Sequence, residues 1–157
     1  MTTATAGSPD HPTIRPAQPP DLLAVFRLER QCFPQPWPFE AFHQHLDATA
    51  FLVAVADGRV VGYVVGSVEA GFPAPVGHVK DLAVHPAYRR QGIAQELLAR
   101  ALARFVADGA VRANLEVRTS NDAAIALYRE SGFSSERIRP GYYADGEAAV
   151  VMTRSLS

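Results

Sequence analysis

The chain is poor in cysteine, with one, Cys32, in 157 residues. A single thiol excludes an internal disulfide and a cysteine-built zinc site, and it suits a reducing cytoplasm. There is no apolar run of the roughly 18 residues that a membrane span needs. The opening MTTATAGSPDHP has neither a basic start nor an apolar stretch, so residues 1–12 read as a disordered tail, not a secretory signal. No sign of charge prevails: the net charge is −1 with the signs interspersed, and nothing marks a general nucleic-acid-binding surface. Repeats and low-complexity segments are missing beyond the tail. These absences leave a cytoplasmic, single-domain reading of residues 13–157, monomer or weak dimer, in which 48% apolar residues supply the core.

Turn and period signals divide the rest. Thr13-Ile14-Arg15 reads as a short strand, and Leu22, Val25, Phe26 and Leu28 as a helical face running to about Gln31. Cys32 to Pro38 holds three prolines and must be a shaped loop, followed by a short helix on Phe39, Phe42 and Leu46. Phe51–Ala56 and Val60–Val68 form a hairpin across Asp57-Gly58, in which Gly66 marks a bulge or a close backbone approach. Val76–Val84 lacks alternation, as a strand covered on both faces does. A helix spans Gly92 to Asp108 with Glu96 and Arg100 paired, stopped by Gly109. Val111–Arg118 alternates, with Val111, Ala113, Leu115 and Val117 facing the core. A second long helix covers Asn121–Ser131, and Phe133–Ile138 with Ala148–Arg154 makes a last hairpin.

One stretch organises the others. An apolar strand stops at His85-Pro86, a basic turn follows, and a helix starts at Gly92. The first-turn amides of a helix lack partners, its dipole is positive there, and glycine admits a close oxygen, so Arg89-Arg90-Gln91-Gly92-Ile93-Ala94 suits a phosphate. The stretch lacks the Gly-Lys-Ser/Thr ending of a P-loop and the first two glycines of the dinucleotide fingerprint.

Two residues could move protons. Glu116 lies on the polar face of its strand near the C-terminal end, either as a base or as a solvated carboxylate paired with Arg112 or Arg118. Tyr128 shares a helix face with Asn121 and Ala124, either as a proton donor or as a core tyrosine. Cys32 has no activating base beside it, His43 and His45 point to different sides and make no metal pair, and His78 and His85 read as structural or solvent residues.

The turn resembles the coenzyme pyrophosphate loop of the GNAT superfamily of N-acetyltransferases, whose R/Q-x-x-G-x-G/A signature fits at Arg89, Gly92 and Ala94. Leu115-Glu116-Val117-Arg118, Asn121, Ala124 to Tyr128, Ile138-Arg139 and Tyr142-Tyr143 are similar to RimI-type ribosomal-protein alanine N-acetyltransferases over nearly everything from Thr13 onward. The resemblance implies an α/β (α+β mixed) GNAT fold, a mixed, largely antiparallel twisted sheet of about seven strands, splayed at its centre, with about four helices. It implies an acetyl-CoA-dependent enzyme without a metal. The acceptor would be the N-terminal amine of a protein, the alanine of a small-subunit ribosomal protein, with a small amine or a non-catalytic acyl-CoA module as the alternatives. Glu116 becomes the base and Tyr128 the acid. Leu82, Ala83 and Val84 would hold the thioester and pantetheine arm, Arg89 to Ala94 the pyrophosphate, and Asn121 with Tyr128 would lie along the coenzyme. Phe33 and Trp37 belong to the acceptor side, where Trp37 otherwise caps the core; Tyr142 and Tyr143 would clamp the acceptor or serve as ordinary hairpin aromatics. Arg139-Pro140-Gly141 departs from the longer or more basic loop common in that family.

Overall fold

The computed structural model describes residues 11–156; the tail expectation, for residues 1–10, lies outside them. The strands are β1 (Thr13–Pro16), β2 (Ala50–Ala56), β3 (Arg59–Glu69), β4 (Val76–Val84), β5 (Arg112–Arg118), β6 (Ser134–Arg139) and β7 (Ala149–Ser155). The α-helices are α1 (Leu22–Cys32), α2 (Phe39–Gln44), α3 (Ile93–Ala107) and α4 (Asp122–Glu130). Their order along the chain is the one expected. They build one seven-stranded sheet in the order β1-β2-β3-β4-β5-β7-β6, in which β4 and β5 are parallel and the other neighbours antiparallel.

Helices cover both faces. On one, Leu97, Leu98, Ala101 and Phe105 of α3 and Tyr128 of α4 pack on Leu52, Val64, Leu115 and Met152. On the other, Leu22, Val25 and Leu28 of α1 and Phe42 of α2 pack on Phe51, Val53, Tyr63 and Val65. Neighbouring residues of β2 thus bury into opposite layers, which is why that segment reads as an unbroken apolar run. Asp57 and Gly58 both take positive φ, 53° and 73°, as a two-residue I′ turn requires. Val111 departs from expectation: the strand begins at Arg112, and Val111 is 44% exposed. Its N–H donates to the Pro75 carbonyl and its own carbonyl accepts from Leu156, which holds it at the end of the sheet beyond the core.

Two features shape the centre. The β3–β4 register shifts between Val65 and Gly66, pairing Val65 with Asp81 and Gly66 with Val79, so Lys80 is the extra residue of a bulge. Bulges bend a strand. The pairing of β4 with β5 covers only Val76–Arg112, Gly77–Ala113 and His78–Asn114, after which the strands part. Nearby, a Cβ on Gly66 or Gly77 would overlap the ring of Phe105, so these two glycines form the notch that seats α3 on the sheet. Among the described residues no helix is long and apolar enough to cross a membrane.

Gly77→Ala is expected to destabilise the fold by about 1–3 kcal/mol through overpacking against Phe105. Urea unfolding measures this, and Phe105→Leu in the same chain recovers part of the loss.

Candidate active site

Where β4 and β5 part, a cleft of about 240 Å³ opens, lined by Asp81 and Leu82 of β4, Glu116 of β5, Tyr128 of α4 and Asn121 just before it, and Trp37. The proposed acid and base therefore share one cavity. The adjoining groove, which carries His78 and Tyr142, shares Trp37, Lys80, Glu116 and Tyr143 with it, so the opening continues past Glu116 toward that side.

Glu116 is half-buried and has partners that the sequence did not suggest. Its Oε1 lies 2.7 Å from His78 Nε2 and 3.4 Å from the Tyr142 hydroxyl. The His78 hydrogen bond is the first reason that the carboxyl titrates below its ordinary value, against a burial cost that pulls the other way. Arg112 and Arg118 are not its partners. The His78 contact was hidden because it joins residues 38 apart; the signal would have been that β4 and β5 pair at His78 and Asn114, two residues before Glu116.

Tyr128 is buried, its ring edge-on to Phe133 at 5.9 Å, and it lines the cleft. Burial above all, then the nearby Asp81, makes its phenol harder to ionise than usual. It is thus a donor that stays protonated until something basic appears beside it. Asn121 caps α4, its Oδ1 accepting the Ala124 N–H at 3.1 Å.

The phosphate-type turn forms as the sequence suggests. Pro86–Tyr88 is a 3₁₀ turn, Arg90 and Gly92 take positive φ of 64° and 80°, and Gly92 is the N-cap of α3, with no side chain to cover the first amides. Arg89 is exposed, but its guanidinium folds back onto the end of β4. Its Nε donates to the Val84 carbonyl at 3.1 Å and Nη2 contacts Cys32 Sγ at 3.5 Å, so it braces the turn against the end of β4. Arg90, Gln91 and Gly92 are exposed, while Ile93 is buried and Ala94 half-buried. Of the remaining β4 residues expected here, Ala83 and Val84 are buried, and the Leu82 N–H donates to Asp81 Oδ1 at 3.0 Å. Burial raises the Cys32 thiol above its ordinary value, which disfavours the thiolate form. An open strand pair beside an uncovered helix N-terminus fits a cosubstrate with a thioester at one end and a pyrophosphate further along.

The acceptor-side aromatics surround the opening. Phe33 lines the cleft, and Trp37 stacks between Phe42 and His45 at 5.3 Å from each, so it both caps the core and lines the cavity. Tyr142 and Tyr143 pack edge-to-face at 5.0 Å. Arg118 lies 4.2 Å over the Tyr143 ring and pairs with Asp145 and Glu147 of the loop between β6 and β7, while Nη2 reaches Gln35 at 3.3 Å. The hydrogen bonds that the Ser120 and Arg118 side give Glu147 lower its carboxyl to about 2.

His78→Ala is expected to move the Glu116 titration upward, read by carboxyl carbon NMR. A depressed folded value stabilises the protein above the unfolded value of about 4.3 and loses that contribution as pH falls through the folded one. The variant therefore shows a smaller acid-induced loss of stability than the parent.

Comparison with known proteins bears on this geometry. Residues 22–133 match the Acetyltransferase (GNAT) family. An N-alpha-acetyltransferase of Saccharolobus solfataricus is 40% identical over 155 residues, covering 92% of this chain and 93% of that one. Two solved structures, each 29% identical, superpose closely: Ard1 from Thermoplasma volcanium, with a TM-score of 0.83 over 92% of this chain and 97% of that one, and a ribosomal-protein alanine N-acetyltransferase from Escherichia coli, with 0.78 over 93% and 94%. With the fold, the cleft and these relatives in agreement, the chain belongs to the acetyltransferase (GNAT) family and is an acetyl-CoA-dependent N-acetyltransferase.

Proposed function

We propose that the protein transfers acetyl from acetyl-CoA directly to the N-terminal α-amine of a protein, in the cytoplasm. The observation that carries this reading is the single cleft holding both Glu116 and Tyr128 where β4 and β5 separate. The archaeal relative, an N-alpha-acetyltransferase by name, supports the same acceptor class.

The chemistry asks little of the base. An α-amine has a pKa of about 7.7–8.0, so roughly a tenth is neutral near pH 7, whereas a lysine amine near 10.4 has well under a thousandth. Glu116, ionised and oriented by His78, takes the proton that the amine sheds, at Oε1 or Oε2. Acetyl-CoA, when bound, supplies the activated acetyl thioester. Tyr128, in the same cleft, would offer its hydroxyl proton toward the departing sulfur. The amides of Arg89 to Ala94 would hold the pyrophosphate, and the backbone of Leu82, Ala83 and Val84 and the Asn121 side chain would hold the rest of the cosubstrate. Phe33, Trp37, Tyr142 and Tyr143 shape the acceptor's path.

The narrower form of this reading, an N-terminal alanine of a small-subunit ribosomal protein, takes its support from the Glu116, Asn121, Tyr128 and Tyr142-Tyr143 pattern and from the Escherichia coli neighbour. Alanine-initiated peptides are expected to be acetylated with far higher kcat/KM than polyamines or aminoglycosides; the reverse order rejects the reading. Glu116→Gln is expected to lower kcat/KM by about 10²-fold or more near neutrality and by less at high pH, where the amine deprotonates unaided. Tyr128→Phe lowers kcat and leaves acetyl-CoA affinity nearly intact, measured by calorimetry.

A further inference from the structure

Apart from Glu116, the cleft is lined by two further acids, Glu29 and Asp81. Glu29 of α1 is 2% exposed, and both of its oxygens are engaged: Oε1 accepts from the Tyr63 hydroxyl and Oε2 from the Trp37 N–H at 2.9 Å. Asp81 of β4 lines the same cleft as Tyr128. Its Oδ1 accepts the Leu82 N–H, while Oδ2 is fully enclosed and meets no donor. Its neighbour is the Glu29 carboxylate, which is itself an acceptor. An enclosed carboxylate oxygen against another carboxylate is costly. One proton resolves the contact: on Asp81 Oδ2 it donates to Glu29 and leaves Asp81 neutral. Burial, followed by Glu29, pushes the Asp81 carboxyl well above the usual carboxylate range, in accord with this arrangement.

Resting on the reading of the cleft as the transfer site, we propose that Asp81 is a positioning residue there, its protonated carboxyl bridging Glu29 on the Trp37 side to the Leu82 amide beside Tyr128. The bridge ties α1 and the acceptor-side loop to the strand that would carry the thioester. Its neutrality also matters to Tyr128, whose phenol is harder to ionise when Asp81 is charged. The groups facing Asp81 are Glu29 and Cys32 from α1, Tyr63 from β3 and Tyr128 from α4; Lys80 and Glu116 line the same cavity. The Leu82 N–H and the Tyr63 hydroxyl favour its ionised form, burial and Glu29 outweigh them, and none of these groups is a cation in contact with it. Because folded Asp81 keeps its proton to higher pH than the unfolded chain does, it lowers stability progressively as pH rises above its unfolded value.

Asp81→Asn tests this, since the amide keeps an acceptor for Leu82 and a donor for Glu29 and cannot titrate. The melting temperature of this variant minus that of the parent is expected to widen between about pH 5 and pH 8. A gap that stays constant with pH overturns the shared proton. This measurement uses the protein alone, so it reads Asp81 even if the acceptor proves not to be a protein N-terminus. In turnover, the parent's kcat is expected to fall as Asp81 ionises on the alkaline side; Asp81→Asn retains most of kcat without that fall, whereas Asp81→Ala loses about tenfold in kcat. Equal defects in the two variants, or superimposable pH profiles of Asp81→Asn and parent, overturn the positioning role. If Asp81→Asn fails to fold, Glu29→Gln serves in its place: removing the neighbouring charge flattens the pH dependence of stability, and an unaltered slope overturns the proposal.

Discussion

Everything at the centre of this protein follows from three residue pairs. Strands β4 and β5 hydrogen-bond only from Val76 to His78, and the extra residue at Lys80 then carries β4 away from its neighbour. In a sheet the backbone normally spends its donors and acceptors on the adjacent strand. Here the backbone of β4 beyond His78 has no strand paired on that side, and the gap opens into the cleft of about 240 Å³ between two strands of one sheet. A site built this way inherits its geometry from the core, with Phe105 holding α3 in a two-glycine notch on one face and α1 closing the other.

The same parting sorts the charges. On the β5 side, Glu116 sits among donors, His78 and Tyr142, and is held ionised. On the β4 side, Asp81 sits against another acid behind apolar cover and is held neutral. Two carboxyls lining one cavity are thus driven to opposite states by what surrounds them. Tyr128, buried between, keeps its proton.

Much of this was legible in the sequence because it depends on local chemistry. The strand stop at His85-Pro86, the Gly92 helix start, the Asp57-Gly58 hairpin and the Glu96–Arg100 pair all arise within a few residues of one another and form as read. Gly66 proved to mark both a bulge and a close approach. What stayed hidden depends on distant segments meeting. His78 read as a bystander because nothing adjacent to it names Glu116. Nothing in the sequence singled out Glu29, yet it accepts from the Trp37 N–H and neighbours Asp81. Arg89 was legible as a residue of the turn; that its guanidinium folds back onto Val84 was not, since side-chain direction is decided by which acceptor lies within reach.

Arg118 rises from β5 and grips loops on both sides of the opening, Gln35 on one and Asp145 with Glu147 on the other, over separations of 83, 27 and 29 residues. A single planar head therefore acts as a shared hinge pin. Outward movement of either rim would break hydrogen bonds to that one guanidinium, so three distant stretches of chain share a single anchor beside the entrance.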